Sequence, residues 1–121
     1  MNIRALFAVA ALTLVVAATA AAAVTQPAAD AAACFRMSGF ANVRVETYGS
    51  MTTELDVSWG AAGSLDAWLM PSNASARALY ARTHAAARDP ELTRLSGRWV
   101  YTWSKWPAPM AASAAHRCLS V

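Results

Sequence analysis

The chain has 121 residues, of which 57% are hydrophobic and only 14% charged, and its formal net charge is +3. That is room for one domain. A charge balance this mild, with the basic residues scattered rather than clustered, excludes nucleic acid as a partner. No glycine-rich phosphate loop, no Gly-x-Ser-x-Gly elbow and no ligand-spaced group around the two histidines occurs, so neither a cofactor nor a metal site is expected.

The elements follow in chain order. Arg4 gives a positive start, and Ala5 to Ala18 form an apolar, alanine-rich run interrupted only by Thr13. Small residues then recur at signal-peptidase spacing, as in Ala18-Thr19-Ala20 and Ala21-Ala22-Ala23. Residues 1–23 are therefore read as a cleavable signal peptide. The alternative, an uncleaved membrane anchor, is disfavoured because the run holds few of the Leu and Ile residues that favour insertion. The protein is expected to be secreted or in the cell envelope, with no stable membrane insertion after cleavage.

Residues 24–30 read as a flexible lead-in and 31–121 as the single folded domain. Ala31, Cys34, Phe35 and Ser38 share one face of a short first helix over 31–38, with Gly39 as its stop. Three strands are predicted next from alternation: Asn42 to Tyr48, Glu54 to Trp59, and Leu65 to Met70. Pro71-Ser72 breaks the third, and Ser72 is the expected N-cap of a helix from about Asn73 to Arg88. Its apolar stripe is Ala76, Leu79, Tyr80, Thr83 and Ala87, and Asp89-Pro90 ends it. A fourth strand is predicted over 97–104. The last helix runs from about Pro109 to Leu119, with Ala111, Ala114, Ala115 and Cys118 on its inner stripe.

The two cysteines thus fall on the apolar stripes of the first and last helices. An even number in a short exported chain reads as a disulfide, Cys34 to Cys118. Two rival readings carry less. Ala31-Ala32-Ala33-Cys34 lacks the leucine of a lipoprotein attachment site. His116 and Cys118 are two apart on a helix, which is poor geometry for a base and its nucleophile.

The order is α-β-β-β-α-β-α. The simplest architecture is α+β: a two-layer sandwich with a four-stranded mixed sheet and all helices on one face. The third strand, the long helix and the fourth strand are expected to form a right-handed crossover. If the helices cover the face of Leu55, Val57, Leu65, Leu69 and Val100, the opposite face carries Tyr48, Trp68, Trp99, Tyr101 and Trp103. Such a ring-rich open face, rimmed by charge, is the candidate binding surface for a protein or small ligand. Packing within the sheet and a homodimer seam are competing uses of the same rings.

Glu54 and Asp56 lie two apart on one strand, and Asp66 on the next strand is expected close to them. The plan of the mature chain, with Cys34 near its start, the Pro71-Ser72 helix start after a strand and Cys118 in a final helix, resembles small exported bacterial proteins of uncharacterised function. That resemblance implies no activity. Two function classes follow from the residues: a non-catalytic binding or interaction module using the aromatic face, and a small secreted hydrolase working through Glu54, Asp56 or Asp66.

Overall fold

A computed structural model of the chain describes residues 26–49 and 52–120. The predicted signal peptide lies outside the described residues. The class is α+β, with three helices and a five-stranded antiparallel sheet in the order β1-β2-β3-β5-β4. Helix α1 covers 26–37. Strands β1 (Asn42–Tyr48), β2 (Thr52–Ser58) and β3 (Ser64–Leu69) form a meander. Helix α2 (Asn73–Ala86) follows, then β4 (Thr93–Ser96), β5 (Trp99–Trp103) and helix α3 (Pro109–Cys118).

Local chemistry explains the boundaries. The Ser72 hydroxyl accepts from the Ser75 main-chain N–H at 3.1 Å, and the Ser75 hydroxyl accepts in return from the Ser72 N–H at 3.2 Å. Two otherwise unsatisfied donors of the first turn are thereby paired. Gly97, at φ +57°, is the first central residue of a two-residue turn that pairs Ser96 with Trp99. A glycine there gives the β4–β5 hairpin its positive φ without steric cost.

Helices α1 and α3 lie over one sheet face and form the main core with it. Ala28, Ala31, Ala32 and Phe35 from α1, and Ala111, Ala114, Ala115 and Cys118 from α3, are buried against Leu55, Val57, Leu65, Ala67 and Leu69. The alanines bring both helices close to the sheet. Cys34 and Cys118 are joined in a disulfide, with Cα atoms 5.5 Å apart. Beside it, Arg117 Nη2 donates to Ser38 Oγ at 3.1 Å, a second tie between the chain's two ends.

Five expectations are corrected. The sheet has five strands, because Thr93–Ser96 pairs with β5 as an additional edge. It is antiparallel throughout rather than mixed, and β5 pairs directly with β3. Helix α2 therefore leads not into β5 but into β4, which runs parallel to β3 on the far side of β5. The helices also lie on both faces: Leu79 and Thr83 of α2 face Trp68, Val100 and Thr102 across a cavity of about 310 Å³, opposite the side held by α1 and α3. Finally, α1 takes in residues 26–30, which were expected to be a flexible lead-in.

Because helices cover both its sides, β5 is not a one-sided strand. Val100 is buried on the α2 side, while Trp99 and Trp103, at 0% and 5% exposure, are buried in the main core. Trp99 pairs with Leu69, Tyr101 with Ala67 and Trp103 with Leu65, all inner-face positions. Trp99, Tyr101 and Trp103 are thus on the opposite face from Tyr48 and Trp68. The expectation of five rings on one open surface is overturned. Large rings contribute more apolar area than Val100 and Thr102, so the deeper core takes them. Phe35, Phe40, Trp59, Trp103 and Tyr101 form a continuous chain of ring contacts, with centroids 5.5 to 6.0 Å apart.

Candidate functional site

Helix α2 shields the β5 side of the outer face and leaves the β1–β3 half uncovered. Strand register arranges that half in two cross-strand rows. One row runs Arg44, Asp56, Asp66; the next runs Glu46, Glu54, Trp68. Tyr48 closes the patch at the end of β1, 48% exposed, with its ring centroid 5.5 Å from that of Trp68. Of the five rings expected on the open face, the structure brings together these two.

The carboxylates converge. Glu54, Asp56 and Asp66 each place one oxygen within 4.8 Å of the others. Arg44 Nη2 meets Asp56 Oδ2 at 3.2 Å, and the Tyr48 hydroxyl donates to Glu54 Oε2 at 2.9 Å. Asp56 Oδ1 is buried and has no hydrogen-bond partner among the described residues. Four of the chain's seven acidic residues, Glu46, Glu54, Asp56 and Asp66, stand on this half-face of a protein whose net charge is +3.

Crowding of like charges changes the chemistry. Burial, together with a hydrogen-bonding contact to Asp56 and its charge, pushes the Asp66 carboxyl up to about 6. Burial also raises Glu54, reinforced by Asp56 and Glu46 and opposed by the hydrogen bond from Tyr48. The Tyr48 hydroxyl, tied to Glu54, is pushed up to about 12. A proton on Asp66 has a ready acceptor in Asp56. With that proton gone, the group carries a concentrated negative charge suited to a cation.

The proximity of Asp66 to Glu54 and Asp56, expected from the hairpin pattern, is present. Arg44 and Glu46 complete the patch, and strand register was the signal that places them there. Elsewhere, Phe40, Trp59 and Met110 line an apolar groove of about 420 Å³ whose walls carry no charged side chain. His84 packs on Tyr80, with ring centroids 5.3 Å apart on α2. Among the described residues no helix is long and apolar enough to cross a membrane. The disulfide is consistent with an oxidising, extracytoplasmic compartment.

No protein-family model, curated protein or solved structure matches the chain.

Proposed function

We propose that this chain is an exported, non-catalytic binding module that captures a basic segment of a partner protein on the open β1–β3 face. The observation that carries this reading is the gathering of four acidic side chains beside the Tyr48–Trp68 ring pair on an otherwise basic protein. Carboxylates pair with ammonium and guanidinium groups, and aromatic faces attract the same cations. Asp56 Oδ1, buried and without a hydrogen-bond partner among the described residues, is an acceptor open to such a donor once Asp66 is ionised. Arg44 neutralises only part of the cluster through Asp56 Oδ2.

The raised Asp66 carboxyl is the one feature that favours the hydrolase reading, since a general acid needs such a shift. Two neighbouring carboxyl groups also suit glycoside chemistry in outline. Against it, Asp66 is only partly shielded on the sheet surface, and beyond that partial burial the shift comes from its like-charged neighbours. The binding reading uses the four carboxylates together with the ring pair, with Arg44 offsetting only part of their charge.

Titration with oligo-lysine and oligo-arginine peptides, read by tryptophan emission with Trp68→Phe as the control, tests the reading. Saturable binding is expected at neutral pH. It should weaken as Asp66 protonates below about pH 6 and be lost in a Glu54→Gln, Asp56→Asn, Asp66→Asn variant. Binding that survives the triple change overturns the assignment. So does absence of peptide binding with saturation by calcium alone, which would make the patch a metal site.

A further inference from the structure

The edge strand β1 is largely uncovered, with only Val43 packed against the core. Six of its seven residues are exposed, including Val45 on the inner-face side at 37%, because α1 and α3 pack mainly over the centre of the sheet. The other edge, β4, is only four residues long and packs against α2. The Val43 carbonyl accepts from Arg36 Nη2 at 3.1 Å on the strand's free side. Main-chain groups alternate along a strand, so those of Val45 and Thr47 face the same way, away from β2. A long, open edge of this kind is a template for another strand.

We propose that β1 pairs antiparallel with β1 of a second copy, centred on Val45, joining two five-stranded sheets into one. The sequence of the strand selects that partner. In a twofold pairing about Val45, Arg44 stands opposite the partner copy's Glu46 and Glu46 opposite its Arg44. Val45 meets its own counterpart, and Val43 meets Thr47. Charges that usually protect an edge from pairing here complement themselves. Within one chain Glu46 lies directly across from Glu54, a like-charge pair that an arginine from the second copy relieves. The pairing also buries Val45 and sets the two open acidic faces side by side. It does not depend on what those faces bind.

Sedimentation of the intact, oxidised protein over a concentration series tests the proposal. A monomer–dimer equilibrium is expected. Val45→Pro removes a free-side N–H that β2 does not use, so an edge strand tolerates it, and the variant should fold as a monomer; Val45→Lys serves as a second disruption. Glu46→Arg alone sets like charges across the seam and should weaken the dimer about tenfold, and adding Arg44→Glu should restore it. Directly opposed Cα atoms lie about 5.5 Å apart, within disulfide reach, so Val45→Cys should give a covalent dimer and Thr47→Cys should not. A wild-type protein that stays monomeric at its highest soluble concentration overturns the proposal. A dimer indifferent to Val45→Pro, or unrescued by the charge swap, overturns it as well.

Discussion

Asp56 and Asp66 stand directly opposite one another on β2 and β3, two carboxylates side by side on an open stretch of sheet. Folding therefore partly buries Asp66 and brings like charges beside it, and the fold prefers Asp66 protonated. Its carboxyl is pushed up from an ordinary value of 3.8 to about 6 in the folded chain. A carboxyl raised by folding contributes stability that is full below its unfolded value and is lost as pH climbs through the folded one. The protein should accordingly be less stable at about pH 7 than at about pH 4, by about 1 kcal/mol once solvent screening of so exposed a group is allowed for. Asp66→Asn should flatten that slope and raise the denaturation midpoint at neutral pH. Urea melts across this range on both proteins check it, and parallel curves would contradict the argument.

The Cys34–Cys118 bond closes a separation of 84 residues and holds α1 against α3. Loop-closure entropy alone assigns it about 4.5 kcal/mol of stability. A domain with this limited core has little to spare. Reduction, or the double change Cys34→Ala and Cys118→Ala, should lower the free energy of unfolding by about that amount. Denaturation with and without reductant measures it. A loss below about 1 kcal/mol would mean that the reduced unfolded chain already keeps its ends together.

Trp99 and Trp103 are core residues, so substituting them tests the fold and not a binding surface. Trp99→Ser should cost about 4 kcal/mol through the cavity it leaves, a large part of the roughly 5–15 kcal/mol that holds a typical domain together. Trp68→Ser, on the half-shielded outer face, should cost clearly less and yet be the change that alters binding. Circular dichroism melts of the two variants separate these roles. If Trp99→Ser keeps its melting temperature, the assignment of β5's inner face is wrong.

Sequence pattern located the elements better than their partners. Ser72 was readable because a serine after proline and before an alanine-rich stripe has one good use, and its hydroxyl caps α2. The cysteines were readable because both sit on apolar helical stripes. Alternation in β5 correctly separated Trp99, Tyr101 and Trp103 from Val100 and Thr102, but period two cannot say which set faces the larger core. That choice depends on where α2 lies, and its burial of Val100 and Ala76 opposite the main core is a tertiary fact. The β4–β5 hairpin carries a local signal of its own. Gly97-Arg98 is a two-residue glycine turn between Thr93–Ser96 and Trp99–Trp103, not the start of a strand over 97–104. The carboxylate cluster was visible in part, since Glu54 and Asp56 share a face by spacing alone, but the Arg44–Asp56–Asp66 row needed the register.

Thr53 offers a test of the core with the opposite sign. It is fully buried on the inner face, across from Leu69, and its hydroxyl has no hydrogen-bond partner among the described residues. A hydroxyl taken out of water without compensation costs about 1–2 kcal/mol. Valine keeps the branched shape and suits a strand, so Thr53→Val should stabilise the protein by about 1 kcal/mol. Thr93 is the control. It is equally buried, but its hydroxyl meets Thr102 Oγ1 at 3.3 Å on the other face. Thr93→Val strands that partner and should lose about 1 kcal/mol. Opposite shifts in the denaturation midpoint would follow from the difference between an orphaned hydroxyl and a shared one. Equal losses in both variants would mean that Thr53 Oγ1 finds a partner in solution and that its burial is already compensated.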